Sequence, residues 1–135
     1  MDEIKFGKRS QQFFELSPYY FCTFIVGGKK WRTLIHYWIA SYFDNEYMKE
    51  TIRNLSTPQM AINVAKKNGF IDFDQVDSKY IITGIQERYN QVDDLRLILL
   101  STGLTRLVYD STDFLGKDNR YGRILMKIRE VYNES

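Results

Sequence analysis

The single histidine of the chain, His36, lies in its most apolar stretch, residues 31–45, WRTLIHYWIASYFDN. Imidazole titrates near neutral pH, so an exposed histidine would be a candidate acid, base or ligand. A stretch that is apolar on nearly every side predicts a buried helix, here from about Thr33 to Phe43, with Thr33 as its N-cap. On a buried helix a histidine is more often a hydrogen-bonded core residue, and we favour that interpretation.

A second candidate for chemistry is the basic side of the predicted C-terminal helix. Its members are Arg120, Arg123, Lys127 and Arg129. Arginine suits bidentate contacts to phosphate. Acidic neighbours dilute the charge, so a solvated helix face is the favoured interpretation and a phosphate site is the alternative.

Composition narrows the function classes. The 135 residues are 44% hydrophobic, which predicts one folded domain over residues 1–135. A net charge of +2 is too balanced to indicate nucleic-acid binding. The lone Cys22 excludes an intramolecular disulfide, and no metal-ligand, phosphate-loop or nucleophile motif is present, so no cofactor is expected. Without a signal peptide or a membrane-spanning run, we expect a cytoplasmic or virion protein.

Hydrophobic periodicity predicts an α+β fold, mostly helical, with a small β element near the N-terminus. Residues 1–12 are polar and are expected to be partly mobile. A strand is predicted over Tyr20–Val26, followed by a Gly27-Gly28 turn and a return strand at Lys29–Trp31. Further helices are predicted over about 45–54, 57–68, from Asp72 or Asp74 to Tyr89, over 93–102 and over 119–132, with a short extended piece at 104–109.

Two packing expectations follow from these helices. The third helix should bury Met60, Ala61, Val64 and Ala65. The last helix should pack Leu125 and Ile128 against the central helix.

Several motifs in order resemble the NADAR (YbiA-like) N-glycosidases. FFELSPYYFCTFIVGGKKW is similar to the family opening, and the His-Tyr-aromatic run of the central helix follows it. LSTPQMAINVAK resembles the family's Ser-Pro helix, and LRLILLSTGLTRLVYDSTD its Leu-rich helix. NRYGRILMKIRE is similar to the terminal signature. The ordered set covers about residues 13–130 and implies the YbiA-like fold.

The resemblance implies hydrolysis of N-glycosidic bonds in ribosylated bases, such as pyrimidine intermediates or ADP-ribosylated guanine. The family's catalytic glutamate falls at Ile35, which can neither stabilise a cation nor accept a proton. The family's tryptophan falls at Phe73, and its late aspartate falls at Asp113. The Trp-Gly after that aspartate is absent here, and the loop that follows is shortened.

Three hypotheses follow. The first is a domain that has lost N-glycosidase activity and acts as a structural or interaction protein in an assembly such as a virus particle. The second is a module that binds a nucleotide or ADP-ribose. The third is a working N-glycosidase in which Asp113 and Glu15 form the carboxylate pair. The expected ligand contacts are Phe73, Trp31, Asn119, Arg120 and Arg123.

Overall fold

The centre of the molecule is helix α1, Leu34–Tyr42, whose residues from Leu34 to Ala40 are all buried. The computed structural model describes residues 3–9 and 12–134. Thr33 caps the helix, because its hydroxyl oxygen accepts the His36 amide at 3.2 Å. The all-round apolar stretch therefore forms the buried central helix that the sequence predicts.

The other elements surround α1 in a mixed α/β arrangement that is mostly helical. The strands are β1 Glu3–Phe6, β2 Phe24–Val26, β3 Lys29–Trp31 and β4 Arg106–Tyr109. The remaining helices are α2 Glu46–Arg53, α3 Pro58–Lys67, α4 Ser78–Gln91, α5 Asp93–Ser101 and α6 Arg120–Asn133. Short 3-10 turns occur at Phe14–Leu16, Phe73–Gln75 and Lys117–Asn119. None of the helices in these ranges combines the length and the apolar character needed to cross a bilayer.

The N-terminal strand β1 pairs in parallel with β4, with Glu3 opposite Arg106 and Phe6 opposite Tyr109. Ile4 and Phe6 are buried, whereas the alternating Glu3 and Lys5 are exposed. The polar composition of residues 1–12 predicts a partly mobile segment, and this strand is a difference from that prediction. Residues 1, 2, 10 and 11 of that segment lie outside the described residues.

The predicted hairpin is present but shorter than expected. Strands β2 and β3 are antiparallel, and Gly27 and Gly28 make the turn at φ values of 63° and 75°. Such positive φ values favour glycine. Residues 20–23 precede the hairpin as irregular chain, so the first strand begins at Phe24 rather than Tyr20.

Helices α1 and α4 approach closely at Gly84. A Cβ atom at this position would lie 2.9 Å from Cδ2 of Tyr37 and 3.0 Å from Nε1 of Trp38. Trp38 then packs edge-on against Phe73 and Tyr121, with ring centroids 5.8 and 6.1 Å away. This aromatic cluster joins α1 to the segments that line the cleft described below.

The predicted fourth helix begins later than expected. Asp72 caps only the short 3-10 turn that starts at Phe73. The chain then turns at Val76, which is buried and extended, and α4 starts at Ser78 with Asp77 as its N-cap. Asp72 and Asp77, five residues apart, each cap a separate turn or helix, so the single helix that the sequence predicts is divided in two.

Two packing expectations need correction, although Ala61 and Ala65 are buried as predicted. Met60 is 42% exposed, and Ile62 takes its place in the buried stripe of α3. Helix α6 packs mainly against β4 and α5 rather than against α1. A ring contact between Tyr121 and Trp38 links it to the central helix.

Candidate functional site

A cleft of about 270 Å³ lies where the chain after β1, helix α3 and two loops meet. The loops are residues 70–73, which lead into the 3-10 turn that begins at Phe73, and residues 111–113, after β4. The polar lining residues are Lys8, Tyr19, Gln59, Lys66, Asp72, Ser111, Thr112 and Asp113. The apolar lining residues are Ile62, Phe70, Ile71 and Phe73. The cleft therefore combines two carboxylates, two amino groups, a phenol and an apolar wall.

Asp113 is half-buried, and its carboxyl group is hydrogen-bonded to the backbone of the turn that it begins. Its Oδ1 accepts the amide of Leu115 at 2.9 Å and that of Gly116 at 3.2 Å. Burial raises the pKa of the Asp113 carboxyl, whereas the Ser111 hydroxyl and these amides lower it. The charge of Asp72 raises it further, and the net direction is upward. A carboxyl with a raised pKa is suited to hold and deliver a proton.

Asp72 ties the two loops of the cleft together. Its Oδ1 accepts the amide of Phe73 at 2.7 Å, and both of its carboxyl oxygens accept the amide of Phe114, at 2.9 and 3.1 Å. Gln75 completes a reciprocal cap, because its side-chain oxygen accepts the Asp72 amide at 3.0 Å. The Asp72 carboxylate therefore already accepts hydrogen bonds from backbone amides.

Tyr19 faces these carboxylates. Burial first, and then the charges of Asp113 and Asp72, raise the pKa of Tyr19 to about 12. Its hydroxyl is therefore protonated at neutral pH and is available as a hydrogen-bond donor.

The basic side of the cleft consists of Lys8 and Lys66. The Lys8 amino group lies 5.2 Å from the centroid of the Tyr19 ring and donates to Oε1 of Gln59. Lys66 is exposed near the end of α3. Two flexible cations beside an apolar wall are suited to an anionic ligand.

The segment that carries Tyr19 is held by a buried arginine of α4. Nη2 of Arg88 donates to the carbonyl oxygens of Glu15 and Ser17, at 2.8 and 3.0 Å. Nη1 of Arg88 donates to the carbonyl of Tyr20 at 3.4 Å. This fully buried guanidinium therefore fixes the backbone on both sides of Tyr19.

Bacterial N-glycosidases and a solved structure are similar to this chain. The N-glycosidase YbiA of Shigella sonnei is 28% identical over 139 residues, which cover 94% of this chain and 86% of that protein. YbiA of Escherichia coli strain K12 is 28% identical over 138 residues. The solution NMR structure of E. coli YbiA matches with a TM-score of 0.81 at 24% identity, over 98% of this chain and 87% of that one.

The chain is a divergent homologue of YbiA. The resemblance to the YbiA-like N-glycosidases and the predicted fold class are both confirmed. No family model matches the chain. Because the NMR structure shares only 24% identity with this chain, it supports the fold and not the chemistry.

The cleft brings together two positions to which the YbiA resemblance gives a function, Asp113 and Phe73. Phe73 is only 3% exposed and packs edge-on against Trp38 and Phe70, so little of its ring faces the cleft. Ile35, at the position of the family glutamate, is fully buried and does not line the cleft. Its amide donates to the carbonyl of Pro18 at 3.4 Å, directly before Tyr19.

The remaining predicted site residues lie elsewhere. Glu15 does not line the cleft, and its carbonyl accepts from Arg88. Trp31 is buried against Tyr37, and its Nε1 donates to the carbonyl of Val26 at 3.2 Å. The expected pair of Asp113 with Glu15 is therefore not formed in the cleft, and Trp31 does not line it.

Asn119 and the two arginines also lie outside the cleft. The Asn119 side chain bridges β4, because it accepts the Tyr109 amide at 2.8 Å and donates to the Leu107 carbonyl at 2.7 Å. Arg120 stacks over Phe114, 4.4 Å from the ring centroid, and lines a separate groove. Arg123 is exposed, and its Nε donates to the Asp118 carbonyl at 2.9 Å. The basic side chains that line the cleft are lysines, Lys8 and Lys66, and not the predicted arginines.

His36 has the core role that the sequence favours. Nε2 of His36 donates to the carbonyl of Leu55 at 2.9 Å, which leaves Nδ1 to accept from the Thr33 hydroxyl at 2.8 Å. Burial lowers the pKa of His36, against the opposing effect of the Leu55 carbonyl. The ring is fully buried and satisfied, so it is a structural link between α1 and the end of α2.

Proposed function

We propose that this YbiA homologue binds a phosphorylated ribosyl base in the cleft and has lost most of the N-glycosidase activity that its relatives' name states. One observation carries the proposal. The position of the family glutamate, Ile35, is sealed in the core, while Asp113 lines an open cleft beside two lysines.

The charges of the cleft suggest how such a ligand would lie. Lys8 and Lys66 are placed to contact its phosphate, and Tyr19 is placed to donate to a ribose or base oxygen. Ile71 is 80% exposed at the rim and, with the edge of Phe73, offers the base an apolar surface. At about 270 Å³ the cleft is below the usual range of roughly 300–1,000 Å³ for drug-sized ligands. The volume favours a ribosyl-pyrimidine phosphate over the larger ADP-ribose.

The expected loss of activity rests on electrostatics. Cleavage of an N-glycosidic bond passes through an oxocarbenium-like state that a nearby carboxylate stabilises. Removal of one preorganised stabilising group typically costs roughly a hundredfold to a thousandfold in rate. Ile35 supplies neither charge nor a proton acceptor.

A second candidate function is a working N-glycosidase with a rearranged carboxylate pair. The pair would be Asp113 with Asp72, since Asp72 and not Glu15 shares the cleft. Asp113, with its raised pKa, would protonate the departing base. Against this function, Asp72 already accepts three backbone hydrogen bonds from two amides, which weakens it as a base.

A role as a structural or interaction protein, in a virus particle or in the cytoplasm, is a further proposal. It is compatible with ligand binding, since a retained cleft does not prevent the outer surface from contacting other proteins. Its partner would be a protein component of the same assembly.

Calorimetry with a ribosyl-pyrimidine phosphate and with ADP-ribose tests the binding proposal. Lys66→Ala should weaken binding of the phosphate ligand by about tenfold, because a charge-assisted hydrogen bond contributes about 1.5–3 kcal/mol. Lys67→Ala is the matched control, since Lys67 is an exposed neighbour that does not line the cleft. Equal losses in the two variants, or no heat from the wild-type protein at millimolar ligand, would remove the proposal.

Base release followed by mass spectrometry tests the loss of activity, with E. coli YbiA assayed in parallel. We expect turnover lower than that of YbiA by roughly a hundredfold or more. Robust cleavage that Asp113→Ala abolishes would support the second candidate instead.

A further inference from the structure

We propose that Asp72 is a positioning residue for Asp113: it fixes the Asp113–Phe114 peptide against the Phe73 turn and so holds the Asp113 carboxyl in the cleft. This inference rests on the proposed function, because it assumes that the cleft is the ligand site. It goes further in assigning a role at the cleft to a residue that the sequence marks only as a possible helix start.

The first support is the geometry of the Asp72 carboxylate. It accepts hydrogen bonds from two amides that are 41 positions apart in the chain, those of Phe73 and Phe114. The Phe114 amide is shared between both oxygens, at 2.9 and 3.1 Å. Hydrogen bonds to a charged acceptor are stronger than neutral ones. A single side chain therefore joins the two loops that form one side of the cleft.

The second support is where the bond falls relative to Asp113. The Phe114 amide belongs to the peptide that directly follows Asp113. Fixing that peptide fixes the direction from which the Asp113 side chain leaves the backbone. The Asp113 carboxyl then completes its own turn by accepting from the Leu115 and Gly116 amides.

The third support is that Asp72 is itself held rigidly. Oε1 of Gln75 accepts the amides of Ile71 and Asp72, at 2.5 and 3.0 Å. The 3-10 turn that Asp72 caps places Phe73 in the aromatic cluster with Trp38. Asp72 therefore connects Asp113 to the rigid core, as supporting residues do in preorganised sites.

The ionisable groups that share the cleft also matter for the role. Besides Asp72 and Asp113 they are Lys8, Tyr19 and Lys66, and the buried Tyr109 is coupled electrostatically to Asp113. The nearby charge of Asp72 opposes ionisation of Asp113. Asp72 should thus influence Asp113 in two separable ways, by position and by charge.

Two variants separate these effects. Asp72→Asn keeps an oxygen that can accept the Phe73 and Phe114 amides but removes the charge. Asp72→Ala removes both. Asp74→Asn is the matched control, because Asp74 is an exposed acid two residues away that lies outside the cleft.

Hydrogen exchange at the Phe114 amide and carboxyl NMR titration of Asp113 are the readouts. In Asp72→Ala the Phe114 amide should exchange about tenfold to a hundredfold faster, whereas in Asp72→Asn it should stay close to wild type. The pKa of Asp113 should fall in Asp72→Asn. Unchanged exchange at the Phe114 amide in Asp72→Ala would overturn the proposal.

Ligand binding distinguishes failure of this inference from failure of the proposed function. Asp72→Ala should bind the ribosyl-pyrimidine phosphate about tenfold more weakly than Asp72→Asn, which tests rescue by the conservative variant. If the wild-type protein binds no ligand, the proposed function fails, while the exchange and titration results still decide the role of Asp72. If the wild-type protein binds and those two readouts do not move, the role of Asp72 fails alone.

Discussion

The N-terminal turn of α1 and the cleft differ in the solvent exposure of the residues to which the YbiA resemblance gives a function. At α1, Ile35 is packed into the core, and the neighbouring His36 has both ring nitrogens bonded within the protein. At the cleft, Asp113 remains half-exposed with amino groups nearby. The region around Ile35 is thus closed to solvent, whereas the cleft at Asp113 is open. Variants in the two regions can therefore test the proposed loss of activity and the proposed binding separately.

Restoring the glutamate should have the largest effect, and on stability rather than on activity. Ile35→Glu places an unpaired carboxyl in a fully buried position. An uncompensated buried charge typically costs about 3–5 kcal/mol, and protonation of the carboxyl relieves part of that. Urea denaturation at pH 7 should show a loss of about 3 kcal/mol, with no gain in base release.

Ile35→Leu is the volume-matched control and should cost less than about 1.5 kcal/mol. If Ile35→Glu folds well and cleaves ribosylated pyrimidine at a rate near that of YbiA, the two regions belong to one working site. The contrast between the closed region around Ile35 and the open cleft at Asp113 would then be wrong.

His36→Phe tests the closed region at intermediate cost. The change leaves the Leu55 carbonyl without its donor, which typically costs about 1–3 kcal/mol. The change should also alter the pH dependence of stability. Because the pKa of His36 is below its ordinary value of 6.5 in the folded state, the unfolded chain binds more protons as pH falls below about 6.5. Wild-type stability should therefore decrease through that window.

Chemical denaturation of both proteins between pH 7 and pH 5 measures this difference. The stability difference between wild type and His36→Phe should shrink as pH falls, because only the wild-type protein loses the contribution of a neutral histidine. A constant difference across the window would show that His36 is open to solvent.

Asp113→Asn should give the smallest change, and with the opposite pH direction. The pKa of Asp113 is above its ordinary value of 3.8 in the folded protein, so folding favours the protonated form. Its contribution to stability is present below pH 3.8 and is lost as pH rises through the folded pKa. The uncharged asparagine keeps an oxygen for the Leu115 and Gly116 amides.

Thermal melts at pH 3.5 and pH 7 should therefore show the variant gaining stability relative to wild type as pH rises. Asp110→Asn, beside the same loop but outside the cleft, is the control. A relative loss of stability at pH 7 in Asp113→Asn would mean that the cleft stabilises the charged carboxylate.

The sequence predicted the elements whose signals are local. The all-round apolar run predicted α1, and Thr33 caps it as expected. Asn45 and Thr57 cap α2 and α3. The fourth helix was misplaced because Asp72 and Asp77 are both good caps, and only tertiary packing at Val76 decides between them. Local pattern cannot rank two caps of similar strength.

The candidate site was less predictable, because its residues meet only through distant contacts. Asp113 and Phe73 came from the family resemblance, and the structure places both at the cleft. Lys8 and Lys66 carry no pattern that separates them from other surface lysines. Asp72 was detectable as a cap, but its bond to Phe114 depends on the folded chain.

The parallel pairing of β1 with β4 determines when the cleft is completed during folding. The two strands are roughly a hundred residues apart, so their pairing must overcome a large loop-closure entropy and should form late. Lys8 follows β1 by two residues and is brought to the cleft by that pairing. During synthesis the cleft can therefore gain this amino group only after β4 has left the ribosome, so α1 can form in an unfinished chain before the cleft is complete.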